Sequence, residues 1–148
     1  MGHKEGGSKI MDGAKAVIAQ HNKALNAQDL KGVMTLYASD PNTFLMGTGP
    51  GETYVGDEAI GGAYDQVFNR FEANTLSFNY DWICTGSLGN LAWFAVTTTM
   101  EGTVNKEKRE RAFNMSGTLL KEKGTYRILS MHFSRLGAEQ HATAEPPK

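Results

Sequence analysis

The sequence predicts an α+β domain. Three helices pack on one face of a strongly curved antiparallel sheet, giving a cone with an internal hollow. Two observations carry this. Apolar residues recur at three- and four-residue spacing as far as Phe71, and after Asn74 the period switches to two. Four long runs rich in Thr, Val, Phe, Tyr and Trp then follow, separated only by short turn segments, which implies an antiparallel meander. Helices segregated ahead of strands define the α+β class, and a sheet of long twisted strands curls around its helices and leaves a hollow at one end.

The elements follow in order. Residues 1–8, MGHKEGGS, are Gly-rich and polar and read as a disordered leader. From Lys9 on, Ile10, Ala14, Val17, Ile18, His21 and Leu25 mark one face of a helix. That spacing breaks at Asn26–Gln28, where Asp29 offers an N-cap for a second, short helix carrying Leu30, Val33, Met34 and Tyr37. Ser39-Asp40-Pro41-Asn42 is a stop, with Asp40 serving the turn. Thr43–Met46 is a short strand leading into Gly47-Thr48-Gly49-Pro50-Gly51. No Lys-Ser or Lys-Thr follows these glycines, so they are not a phosphate-binding loop. Thr53-Tyr54-Val55 pairs back as a hairpin arm. Asp57 is the expected N-cap of a third helix, whose apolar face is Ala59, Ile60, Ala63, Tyr64, Val67, Phe68 and Phe71. Strands are expected at about 75–85, 91–101, 109–122 and 125–136. Residues 137–148 read as a flexible tail, which leaves one domain over 9–136.

Composition narrows the function classes. Fifteen basic against sixteen acidic residues give a net charge of −1, which argues against a nucleic-acid binder, because phosphate neutralisation needs clustered Lys and Arg. The single cysteine, Cys84, permits no internal disulfide and no Cys-rich metal site, and its expected place is a small core position in a strand. No apolar run reaches the length of a membrane span, and the start of the chain has no apolar signal segment, so the expected location is the cytoplasm. His3, His21, His132 and His141 are scattered, without HExxH or CxxC spacing, and no nucleotide fingerprint is present, so neither metal nor cofactor is expected.

Three stretches carry a family resemblance. AVIAQHNKALNAQDLKGVMTLYASD, residues 16–40, resembles the opening of the nuclear-transport-factor-2-like superfamily. Its members include ketosteroid isomerase, the SnoaL-like polyketide cyclases and the association domain of calcium/calmodulin-dependent kinase. FLMGTGPGETYVGDEAI, residues 44–60, resembles the SnoaL-like branch, and GTYRILSMHFS, residues 124–134, resembles its closing strand. The resemblance implies a cystatin-like cone, but this fold hosts enzymes, binders and assembly modules alike. Ketosteroid isomerase moves a proton with a carboxylate base and holds the oxyanion with a tyrosine and a protonated aspartic acid. Aligned from ALNA, the tyrosine position falls on His21, the base on Leu45, and the aspartic acid on Gly117 or Thr118. Leu45 cannot accept a proton, so the resemblance extends to the fold without that mechanism.

The remaining candidates follow from the same reading. His21 lies on the apolar helix face and, by resemblance, points into the hollow, where an imidazole can act as acid, base or donor. In the last strand Leu129, Met131 and Phe133 share one face and Ser130, His132 and Ser134 the other. By resemblance the Met131/Phe133 face lines the hollow and the His132 face lies outside, where these folds dimerise. Arg111, which shares parity with Phe113 and Met115, and Arg135, which shares it with Met131 and Phe133, suit the rim of the hollow, where arginine holds a carboxylate through paired N–H donors. Tyr64, Trp82 and Trp93 each bring a large apolar body with a polar tip. By resemblance Tyr64 faces the hollow, Trp93 reads as inward with Ala95 and Thr97, and Tyr37 is placed to hydrogen-bond across the hollow. The expected protein binds a small hydrophobic or amphipathic molecule among His21, Tyr37, Leu45, Tyr64, Trp82, Trp93, Arg111, Met115, Met131, Phe133 and Arg135. It forms a homodimer through the outer sheet face. Any reaction is a cofactor-independent lyase, isomerase or cyclase step with His21 transferring the proton. The alternative is an association module, in which the outer face with Ser116, Thr118, Ser130 and His132 matters and side chains fill the hollow. A cavity well below the roughly 300 Å³ of ordinary ligand sites favours that alternative.

Overall fold

The structure, a computed structural model, describes residues 2–135, with side chains from Gly13 onward. Helix α1 runs Gly2–Ala27 and α2 Leu30–Met34. Strands β1 (Phe44–Met46) and β2 (Thr53–Val55) precede α3 (Asp57–Arg70), and β3 (Ser77–Leu88), β4 (Leu91–Val104), β5 (Glu107–Glu122) and β6 (Thr125–Arg135) complete the chain. The helical backbone thus includes residues 2–8, which the sequence reading assigns to a leader. The tail expected from residue 137 lies outside the described residues.

The α+β class holds: three helices pack on one six-stranded sheet, ordered β2-β1-β6-β5-β4-β3. The four long strands form the antiparallel meander that their short connections dictate, and β1 joins it in parallel to β6. The segment after α2 feeds that junction. Ala38 N donates to Ile128 O (2.8 Å), and Ile128 N donates to Leu36 O (2.7 Å).

Local chemistry sets the helix ends. Asp29 caps α2, its carboxylate accepting from Gly32 N, and Asp40 closes the next turn by accepting from Asn42 N at 2.7 Å. Gly56, not Asp57, is the N-cap of α3. Its φ of 87° is a conformation glycine adopts without strain, and Asp57 becomes the first helical residue. Gln28, at φ 53°, turns the chain out of α1 and donates to the carbonyls of Phe68 (2.9 Å) and Phe71 (2.7 Å), supplying donors to the C-terminal end of α3. Asn22 fixes α1 on β3 through a reciprocal amide pair, accepting from Phe78 N at 2.9 Å and donating to Phe78 O at 3.2 Å.

Two extra residues break the alternation of the sheet. Tyr80 faces Thr98 but Trp82 faces Thr97, so Asp81 is an inserted position on β3. Thr118 faces Ser130 but Leu119 faces Ile128, so Leu129 is inserted on β6. Each insertion reverses the face on which the following side chains fall. On β3 the inner set is Phe78 and Tyr80, then Ile83. On β6 Met131 and Phe133 share the inner face with Ile128 and Tyr126, and Leu129 does not take the inner position its parity suggests. The core lies between helices and sheet and is built from Val17, Ile18, Leu25, Val33, Ile60, Phe68, Phe94, Val96, Met115, Leu119, Ile128 and Met131.

Candidate functional site

A cavity of about 260 Å³ opens between α3, the β1–β2 hairpin and the inner sheet face. Its walls are apolar: Leu25, Leu45, Val67, Leu76, Phe78, Met100, Phe113 and Phe133 all line it. The polar groups on the lining come from the β1–β2 loop (Thr48, Glu52), from β2 (Tyr54) and from α3 (Tyr64, Gln66, Arg70). The volume lies near the lower end of small-molecule sites, so side chains do not fill the hollow.

One wall ends on a buried chain of three polar groups. His21 Nε2 lies 2.8 Å from the Tyr64 hydroxyl, and that hydroxyl lies 2.6 Å from the hydroxyl of Tyr37. All three side chains are buried, His21 completely. The imidazole is framed by the rings of Tyr64, Phe78 and Phe133 at 5.7–6.3 Å. Burial among these rings lowers the His21 pKa to about 4, so the ring is neutral at pH 7. Burial likewise pushes both tyrosine hydroxyls up, so they stay protonated. Among the described residues His21 Nδ1 has no hydrogen-bond partner. With the proton on Nδ1, Tyr64 donates to His21 and accepts from Tyr37; with the proton on Nε2, His21 donates to Tyr64, whose own hydrogen either goes to Tyr37 or, when Tyr37 donates as well, is left free.

Tyr64 is the one member of this relay that lines the cavity. His21 therefore sits behind Tyr64 and does not face the hollow as expected. Tyr37 closes the far end of the relay. Leu45 and Phe133 line the cavity, whereas Met115 and Met131 are buried in the packed core beside it. The two tryptophans are corrections. Trp82 is 54% exposed and Trp93 45% exposed, both on the outer sheet face. The Asp81 insertion puts Trp82 opposite Thr97. On β4 the inner set is Ala92, Phe94, Val96, Thr98 and Met100, which leaves Trp93, Ala95 and Thr97 outside. Trp93 lies over Gly86, where a Cβ would come within 2.3 Å of its ring. Cys84 shares this outer face and is exposed, not a core residue. Arg111 and Arg135 are also corrected. Both are exposed and neither lines the cavity, although their cross-strand partners Met100 and Phe113 do.

The rim arginine is Arg70, which sequence reasoning missed. The signal was present: Ala63, Gln66, Val67 and Arg70 recur at three- and four-residue spacing, and all four line the cavity from α3. Of the two positions onto which the isomerase's aspartic acid aligns, Thr118 carries a hydroxyl that pairs with Ser130 in an exposed setting, and Gly117 has no room for a side chain. A Cβ there would lie 2.3 Å from Ser130 O and 2.8 Å from the Phe94 ring. With Leu45 at the base position, both carboxylates of that mechanism are absent for steric and chemical reasons.

An α+β cone with a hollow between α3 and the sheet defines the class, and comparison with known proteins gives the family. The model of the SnoaL-like domain matches residues 14–138, and the chain belongs to that family. Among solved structures, a nuclear-transport-factor-2-like superfamily protein from Salmonella enterica serovar Typhimurium superposes with a TM-score of 0.78 at 16% identity, covering 88% of this chain and 93% of that one. A proposed dehydratase of the same superfamily from Streptomyces avermitilis gives 0.75 at 12% identity, over 88% and 98% of the two chains. A proposed calcium/calmodulin-dependent protein kinase II association domain from Xanthomonas campestris gives 0.74 at 20% identity, over 84% and 86%. These likenesses show the fold. No curated protein matches the chain. No helix among the described residues is long and apolar enough to cross a membrane.

Proposed function

We propose that the protein binds a small, largely apolar molecule in this cavity and presents the Tyr64 hydroxyl to a single polar atom on it. The observation that carries this is an apolar chamber of about 260 Å³ whose wall includes one end of a buried hydroxyl–imidazole relay. With the relay hydrogens committed, a ligand hydroxyl donates to the spare lone pair on Tyr64. A ligand carbonyl is held when His21 and Tyr37 both donate to the Tyr64 oxygen, which frees the Tyr64 hydrogen for the ligand with both bonds kept. In a lyase, isomerase or cyclase reaction without cofactor, Tyr64 is then the group that exchanges the proton. His21 is a positioning residue that fixes the phenol through the hydrogen bond at Nε2. That the Streptomyces avermitilis protein of the same fold is a proposed dehydratase agrees with such chemistry. Native mass spectrometry of the purified protein tests the reading. A copurified small molecule retained by the wild type and lost on Ala63→Trp, which fills the chamber from α3, is the expected result. Equal occupancy in both proteins places the molecule elsewhere and overturns it.

A second role, self-association, draws on the outer sheet face. Two cross-strand rows run over it: Gly86, Trp93, Thr118, Ser130, Phe44 and Val55, and beside them Cys84, Ala95, Ser116, His132, Met46 and Thr53. Small side chains keep the centre of both rows low, and Trp93, Trp82, Phe44, Met46 and Val55 are exposed around it. A homodimer that packs this face against its copy covers these groups and leaves the cavity mouth free.

A further inference from the structure

We infer that the ligand of the cavity is an amphipathic monoanion, an apolar body ending in a carboxylate, and that Arg70 is the residue that selects the charge. This rests on the cavity reading above and adds the chemical class. Arg70 is the one cationic side chain on the lining, and it stands in the last turn of α3 at the exposed rim. Its guanidinium lies over the ring of Phe71, another lining residue, at 5.9 Å to the centroid. That places the guanidinium within cation–π range of a lining ring, and among the described residues no hydrogen bond occupies its donors. Among the described residues no carboxylate forms an ion pair with it.

Glu52 is the one acidic group on the lining, but it is turned to its own loop. Side chains added at Gly47 and Gly49 would meet its carboxylate oxygens at 2.6 and 2.3 Å, so those glycines make room for it. Glu52 N accepts a place in the same turn, donating to Gly49 O at 3.2 Å, and Gly47 N donates to Glu52 O at 2.7 Å. The anion is folded back while the cation stands over a lining ring. An apolar tail buried among Leu45, Phe78 and Phe133 thus brings a terminal carboxylate out toward Arg70, where paired N–H donors match its two oxygens.

Calorimetric titration with three probes of one chain length tests this: octanoate, 1-octanol and octylammonium. The expected result is octanoate binding about five- to tenfold more tightly than octanol at low salt, as an exposed but bidentate charge pair allows, with octylammonium weakest. In Arg70→Gln the octanoate advantage disappears while octanol affinity stays the same, and in Arg70→Lys it is partly kept. Arg70 is exposed, so neither variant threatens the fold, and a thermal melt checks this. Equal affinities for octanoate and octanol in the wild type overturn the charge assignment and leave the apolar cavity standing. Tightest binding of octylammonium overturns it in favour of Glu52. Failure of all three probes to bind at millimolar concentration overturns the cavity reading and this inference with it.

Discussion

At the scale of single residues, His21 sets the pH response. Its folded pKa of about 4 lies below the unfolded value near 6.5 because burial disfavours the cation. Between these values the unfolded chain binds more protons than the folded one, so stability rises with pH through that window and is lost as pH falls from 6.5 toward 4. The full shift corresponds to about 3 kcal/mol. Urea midpoints measured at pH 7 and pH 4.5 show this loss in the wild type, and in His21→Gln the loss shrinks by most of that amount. Tyr64→Phe has a different signature. It removes the shared partner of His21 Nε2 and the Tyr37 hydroxyl, leaving two buried polar groups unpaired, and costs about 1–3 kcal/mol at pH 7 by denaturant titration. His21 was legible in the sequence as a polar residue on an apolar helix face. That it acts through Tyr64 was not, because the pair is 43 residues apart and only the packing of α1 against α3 brings them together.

At the scale of elements, the hydrophobic period found every helix and strand, while face assignment failed where a strand carries one residue more than its neighbour. Trp82 follows Asp81 on β3, so its parity counted from Phe78 is displaced. For Trp93 on β4 no insertion intervened. Alternating Ala92/Phe94/Val96 and Trp93/Ala95/Thr97 sets are both apolar enough to be core, and the choice rests on which side the helices occupy. Contacts between elements carry the sharpest mutational expectations. Gly117→Ala drives a methyl against Ser130 O and the Phe94 ring, and is expected to destabilise by about 3 kcal/mol, the upper end of over-packing. Gln28→Ala removes two hydrogen bonds to the end of α3 and is expected to cost about 1–3 kcal/mol. Its α3 amides are expected to lose hydrogen-exchange protection from the C-terminal turn inward.

At the scale of the whole molecule, the sheet divides two tasks: the concave side holds the cavity, and the convex side carries Trp82, Trp93, Phe44 and Met46 in solvent. The dimer proposed for the convex side predicts a solution mass near twice 16.1 kDa. Trp93→Arg, which places a charge on that face, is expected to give a folded monomer by light scattering with its octanoate affinity intact. An unchanged mass places the contact elsewhere. The cone and its hollow were legible in the order of elements, and the family match rests on the same residues. The identity of the rim was not, since Arg70 on α3 and the arginines of β5 and β6 are equally polar in the sequence and only the packed fold puts Arg70 on the lining. The inserted Asp81 and Leu129 have a wider consequence. Each adds local twist where the chain outruns its neighbour, and removing either would leave every following side chain on its present side while relaxing the bend. A strand one residue shorter at either place would therefore keep the same side chains toward the hollow, and only the local bend would change.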